Sequence, residues 1–173
     1  MKLIGEHIYL REIEASDTDD ILRWRNQEDV KRYFVNQDPF TKQGHLEWFN
    51  NVVATGKAVQ FIIMDNEIER SFGSVYLRDI DYKNSKCEYG IFIGENDYRA
   101  RGLGTEAANL IIKYAFEELK LNKVFLRVLA NNKRAIKSYQ NAGFQMEGYF
   151  KQDVCINNKY IDIVFMAILK EDL

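Results

Sequence analysis

The residues with the clearest capacity for chemistry lie together in Arg99-Ala100-Arg101-Gly102-Leu103-Gly104. They follow an apolar run at 89–93 and open a long helical pattern that starts near Gly102. A strand, a glycine-rich turn and a helix start, in that order, make an anion site. N–H groups in the first helical turn have no intrahelical partner, and the helix dipole adds positive potential there. Glycine lets the main chain approach a phosphate closely, and two arginines sit in the same turn. A phosphate-bearing ligand is the expectation; a plain structural turn is the competing reading of such glycines. No Lys-Ser or Lys-Thr follows Gly104, which disfavours a P-loop. The spacing R-x-x-G-x-G is also not the G-x-G-x-x-G of dinucleotide folds.

The elements that must hold this turn follow from periodicity. Residues 7–13 alternate as a strand, and Ser16 or Asp17 is placed to cap a helix through Ile21, Leu22, Trp24 and Arg25. After a turn region ending at Asp38-Pro39, Thr41 is placed to cap a second helix. Strands are expected at 59–64, 71–80 and 85–93, with Gly73 marking a bulge or close contact. The strongest helix covers 102–119, with Leu103, Ala107, Leu110, Ile111, Tyr114, Ala115 and Leu119 on one face. A strand at 123–129, a helix at 132–141 stopped by Gly143, and strands at 145–155 and 160–169 complete the chain. The strand–helix–strand unit between 86 and 129 needs a crossover, so its two strands are expected to run parallel. An α/β chain with a mixed, mainly antiparallel sheet results, with the phosphate turn at the carboxyl end of the fourth strand.

Composition narrows the function classes. At 173 residues, the chain suits a single domain over 1–173. A net charge of −2 without basic or acidic tails argues against nucleic-acid binding. No apolar run is long enough to cross a membrane, and the opening MKLIGEHIYLREIE carries charges early, so a cytoplasmic protein is expected. Cys87 and Cys155 lie far apart with no metal-ligand spacing and read as reduced thiols. His7 and His45 are too few for a histidine metal site, and no metal is expected.

A second motif follows the next strand: Asn132-x-x-Ala135-Ile136-x-x-Tyr139-x-x-x-Gly143-Phe144. Together the two motifs resemble those of the GNAT superfamily, the acyl-CoA-dependent N-acetyltransferases. Leu10-Arg11, Trp24-Arg25-Asn26 and the closing hairpin after Gly148 extend the resemblance over nearly the whole chain. They match the branch holding ribosomal-protein N-terminal, polyamine and nucleotide-aminosugar acetyltransferases. The resemblance implies the acyl-CoA N-acyltransferase fold: seven strands flanked by about four helices, with a splayed parallel pair forming the CoA cleft. It implies acetyl-CoA as co-substrate and direct attack by a primary amine in a ternary complex.

On that resemblance, Gly102, Leu103 and Gly104, with Arg101 and Thr105, would hold the CoA pyrophosphate, and Arg99 would add charge or brace the loop. Ile91, Phe92 and Ile93 would offer main-chain groups to pantetheine. Asn132, with Ala135 beside it, would contact the pantetheine arm or cap its helix. Tyr139 lies seven residues after Asn132, about two turns on, so both share a helix face. Its phenol would protonate the leaving thiolate; a core tyrosine is the competing reading. Glu88, on the strand face opposite Cys87 and Tyr89, would be the general base, or else a surface glutamate. The helices at 17–32 and 41–54 would wall the acceptor, with Trp24, Tyr33, His45 and Glu88 as candidate contacts, although aromatic stripes at helical spacing more often form core. His45 with Trp48-Phe49 resembles enzymes of nucleotide-linked aminosugars, whereas Ile156 to Tyr160 is similar to polyamine and ribosomal-protein acetyltransferases. The acceptor therefore stays open among a polyamine, a protein N-terminus and an aminosugar. Fold analogy adds a homodimer. A non-catalytic acyl-CoA-binding or regulatory domain remains the alternative, and a nucleotide-binding protein a third.

Overall fold

The computed structural model describes residues Met1–Leu173. Its strands are β1 (Lys2–Ile4), β2 (Ile8–Glu12), β3 (Val59–Asp65), β4 (Ser71–Asp81), β5 (Lys86–Ile93), β6 (Lys123–Leu129), β7 (Gln145–Ile156) and β8 (Lys159–Leu169). They form one sheet in the order β1-β2-β3-β4-β5-β6-β8-β7. Every neighbouring pair is antiparallel except β5 and β6, which run parallel as the crossover requires. The sheet has eight strands where seven were expected. The extra one is β1, three residues long and mostly exposed, with too little alternation to be read from sequence. The register slips between Ile63 and Met64, at the bulge expected near Gly73.

Five helices accompany the sheet: α1 (Thr18–Arg25), α2 (Glu28–Lys31), α3 (Lys42–Trp48), α4 (Leu103–Glu117) and α5 (Lys133–Asn141). Thr41 caps α3 as expected, its hydroxyl accepting from the Gly44 N–H at 3.1 Å. Neither Ser16 nor Asp17 caps α1. Residues Ala15–Asp17 instead wind a 3-10 turn into it, and the Asp17 carboxylate turns back to accept from the Glu14 N–H at 2.8 Å. Arg11 grips the same carboxylate with two N–H groups, at 2.8 and 2.6 Å. A carboxylate that satisfies a strand guanidinium is no longer available to the helix.

Two apolar clusters lie on opposite faces of the sheet. The larger packs α4 and α5 against it, burying Leu103, Ala107, Ile111, Ala115 and Ile136 with Cys87 and Tyr89 of β5. The smaller packs α1 and its neighbours on the other face, around Ile21, Trp24, Ile62 and Phe92. Alternation along β5 thus sends Tyr89 to one face and Phe92 to the other. No helix is long and apolar enough to cross a membrane.

Trp24 anchors the smaller cluster. It is fully buried, and its indole N–H donates to Glu95 at 2.8 Å. The chain leaves β5 through Gly94, where an added Cβ would stand 2.0 Å from the Trp24 ring. Only a residue without a side chain lets β5 end under that indole. Gly94→Ala should therefore destabilise the fold by about 1–3 kcal/mol through overpacking. Urea unfolding checks this, with a lower midpoint at an unchanged slope.

Candidate active site

β5 and β6 pair only through Lys86↔Lys123, Cys87↔Val124 and Glu88↔Phe125. Beyond Glu88 the strands part. β5 continues to Ile93 against β4, and β6 continues to Leu129 against β8. A cavity of about 1160 Å³ opens at the parting and reaches from the start of α4 to the side walled by α1 and α3. Ile91, Phe92 and Ile93 line it along β5, where the strand has lost its partner on the β6 side.

The glycine turn forms one end of this cavity. Gly102 has φ +80°, a conformation that strains any side-chain-bearing residue, and an added Cβ there would meet only open space. Its carbonyl accepts from the N–H groups of Thr105 and Glu106 at 3.0 and 3.2 Å, which starts α4. The N–H groups of Gly102, Leu103 and Gly104 find no acceptor in the protein. Arg101 is exposed, with its guanidinium 5.5 Å from the Tyr98 ring. Arg99 takes the bracing role. Its Nε donates to the Ile93 carbonyl at 3.1 Å and its Nη1 pairs with Asp29, which holds the Asp29 carboxyl below its ordinary value. Its buried Nη2 has no partner. Thr105 meets Ser138 of α5 at 3.4 Å, joining the two helices at the cavity wall.

α5 supplies the second motif. Asn132 caps the helix, its Oδ1 accepting from the Ala135 N–H at 3.2 Å, and both residues line the cavity. Tyr139 also faces it. Its ring stands edge-on to Tyr89 at 5.9 Å and to Phe144 at 6.0 Å, which fixes its direction. Burial raises the phenol above its ordinary pKa, so it stays protonated at neutral pH. The Tyr89 hydroxyl is buried without a hydrogen-bond partner.

On the opposite strand face, Glu88 is 5% exposed and held by two guanidiniums. Arg78 donates through Nε at 3.1 Å and Arg127 through Nε at 3.1 Å. Burial pushes the Glu88 carboxyl up, and the two arginines overcome it, so the group sits below its ordinary value and stays ionised. Tyr76 lies across β5 at Gly90, where an added Cβ would be 2.3 Å from the phenol carbon. Tyr76, Arg78 and Arg127 are cavity residues that sequence reading missed. The β4–β5 hairpin register, which sets Tyr76 against Gly90 and Arg78 against Glu88, is the signal that finds the first two.

The far wall comes from the first three helices. His45 is buried and lines the cavity. Thr18 donates its hydroxyl hydrogen to the Ala15 carbonyl at 2.8 Å, so it accepts from His45 Nδ1–H at 3.1 Å. That tautomer leaves the Nε2 lone pair buried and unpartnered, and burial holds the ring neutral by lowering its pKa. Tyr33 lies at the mouth, 45% exposed. Trp24, expected as an acceptor contact, is instead core: its ring fills the smaller cluster and lies outside the cavity lining. Neighbouring Arg25 does line the cavity. Cys87 and Cys155 are free thiols outside it, and burial raises Cys87 to about 12. Neither is placed to act as a nucleophile. An amine-to-thioester transfer needs an anion cradle, a hydrogen-bond donor for a leaving group and room for two ligands, and this cavity has all three.

Comparison with known proteins identifies the family and the fold. A family described as "Acetyltransferase (GNAT) domain" matches residues 7–145. An uncharacterized N-acetyltransferase p20 of Bacillus licheniformis is 28% identical over 98% of this chain and 97% of its own. A spermidine N(1)-acetyltransferase of Vibrio cholerae is 26% identical over 96% of this chain and 95% of its own. A crystal structure of spermidine N-acetyltransferase from Vibrio cholerae, in complex with CoA and spermine, superposes with a TM-score of 0.89. It has 25% identity and covers 97% of this chain and 98% of that one.

The Glu88 cluster gives a pH-dependent stability. A folded pKa below the ordinary 4.5 means that ionised Glu88 stabilises the fold above that value, a contribution lost as pH falls through the folded pKa. Glu88→Gln should therefore be less stable than the parent at neutral pH and converge with it as pH falls through the lowered folded pKa. Denaturant midpoints measured across that range test the convergence.

Proposed function

The chain belongs to the GNAT acetyltransferase family, and from that membership we propose that its cavity brings acetyl-CoA and a small-molecule primary amine together for direct acetyl transfer. The observation that carries this reading is the parting of β5 and β6 between the bare N–H groups at the start of α4 and a protonated Tyr139.

Acetyl-CoA supplies a thioester whose carbonyl carbon a neutral amine attacks. The N–H groups of Gly102, Leu103 and Gly104 are suited to pyrophosphate oxygens, and the open flank of Gly102 fits a group that a side chain would displace. Arg101 and Thr105 add charge and a hydroxyl. Arg99 keeps the loop against β5 rather than facing solvent. Arg134 and Lys137, both exposed on α5, extend the positive field along the cavity. The main chain of Ile91, Phe92 and Ile93 suits the amide-bearing pantetheine arm. Asn132 adds its side-chain amide NH2, left free by the cap that its oxygen makes with Ala135.

Tyr139 donates to the departing sulfur. A phenol raised by burial stays protonated at neutral pH, so it can donate to the charge building on sulfur, and the proton it passes to the thiolate is replaced by the one the amine loses. Glu88 takes the role of a fixed anion near the amine. A carboxylate with a lowered pKa is a weak base, and taking a proton directly from an alkylammonium is uphill by roughly 6 pK units, about 8 kcal/mol. The amine's proton therefore leaves through water, with Glu88 orienting that water. The Tyr76 hydroxyl borders the same space.

Two variants test these roles. Tyr139→Phe should lower kcat about tenfold or more with little change in CoA affinity. An unchanged kcat removes the donor role. Gly102→Val would strain the loop by backbone conformation alone, so Gly104 is the better probe. Gly104 is helical, and its nearest neighbour on that flank is Ile91 at 3.9 Å. Gly104→Val should weaken CoA binding about tenfold or more by calorimetry while the melting temperature holds. Normal CoA affinity in that variant rejects the pyrophosphate assignment.

A further inference from the structure

The guanidinium of Arg25 is an unpaired charge inside the cavity. It is 6% exposed, yet no carboxylate pairs with it and it makes no hydrogen bond. Its central carbon lies 3.4 Å from the Phe34 ring centroid and 4.3 Å from that of Phe40, with Phe92 at 6.0 Å. At 3.4 Å the planar group lies flat on Phe34, so its N–H fork points along the plane rather than into the rings. Burial without an acid lowers its pKa to about 10, which still leaves it charged at neutral pH. A guanidinium usually enters a protein interior with a carboxylate or phosphate on its fork. Here the aromatic box is built and the anion is supplied by nothing in the chain.

The rest of the wall has the same sign. The acidic residues that line the cavity are Asp29 and Glu88. Asp29 is taken by Arg99, and Glu88 by Arg78 and Arg127. No free carboxylate remains to receive the second ammonium of a diamine, and Arg25 would repel it. We propose that the acceptor amine carries an oxyanion, phosphate or carboxylate, which docks on the Arg25 fork inside the Phe34–Phe40 box. This rests on the reading that the arm of the cavity under α1 and α3 takes the acceptor. Arg25 then determines specificity without touching the reacting atoms.

Three four-carbon primary amines that differ only at the remote end test the proposal: putrescine, 4-aminobutanoate and 4-aminobutyl phosphate. Each is titrated calorimetrically into the CoA-loaded protein, and each is assayed for thiol release from acetyl-CoA. At least one anionic probe should bind about tenfold or more tighter than putrescine, as a charge-assisted contact predicts. The stronger of the two identifies the oxyanion. Arg25→Met, which keeps an unbranched apolar side chain in the box, should erase that preference while CoA affinity is retained. Equal or tighter binding of putrescine to the parent protein, no binding of either anionic probe, or a preference that survives in Arg25→Met overturns the proposal. If the variant does not fold, the ranking in the parent protein decides. Anion-selective binding without thiol release from any probe would leave the Arg25 site standing and reject acetyl transfer. Release from putrescine alone would do the reverse.

Discussion

The loss of pairing between β5 and β6 after Glu88 is the constraint on which the rest of the structure depends. Two adjacent strands of one sheet can separate only if each is held from outside, and here β4 and β8 do so. Side chains then keep the gap from closing. Tyr139 packs edge to face with Tyr89 and Phe144 on one side, and the Tyr76 ring crosses β5 at Gly90 on the other. The α4 N-terminus is stationed at the end of the opened strand by Arg99, which ties the loop both to Ile93 and to Asp29. Glu106 fastens the same helix turn to the N-terminal segment by accepting from the His7 N–H at 2.9 Å. The bare N–H groups of α4, the phenol and the Glu88 cluster therefore occupy fixed positions around one gap.

Most of this architecture is legible in the chain because its signals are local. The α4 pattern, the Thr41 cap and the strand at 123–129 each depend on residues within one element, and each recurs in the structure. Failures came where a partner in another element decided. Asp17 has the chemistry of a cap but is taken by Arg11 from a neighbouring strand. β1 exists because β2 offers it an edge, with Leu3 paired to Leu10, and not because its own three residues demand a strand.

The site divides along the same line. The glycine turn and the Asn132-to-Phe144 helix are contiguous, so the motifs that carry the family resemblance can be read directly from the chain. Tyr76, Arg78 and Arg127 come from flanking strands and enter only through register. Trp24 and Arg25 show the limit of reading aromatics and charges by type. The tryptophan suited a ligand platform but is core; the arginine beside it, a charged residue on a packed helix, is the one that lines the cavity.

The two apolar clusters differ greatly in size, with 28 residues on the α4 and α5 face and eight on the face of α1. Folding is thus carried mainly by the half of the molecule under α4 and α5. The helices that wall the other side of the cavity rest on the minor cluster. Substitutions on that small face therefore put less of the core at risk than equal changes under α4 and α5.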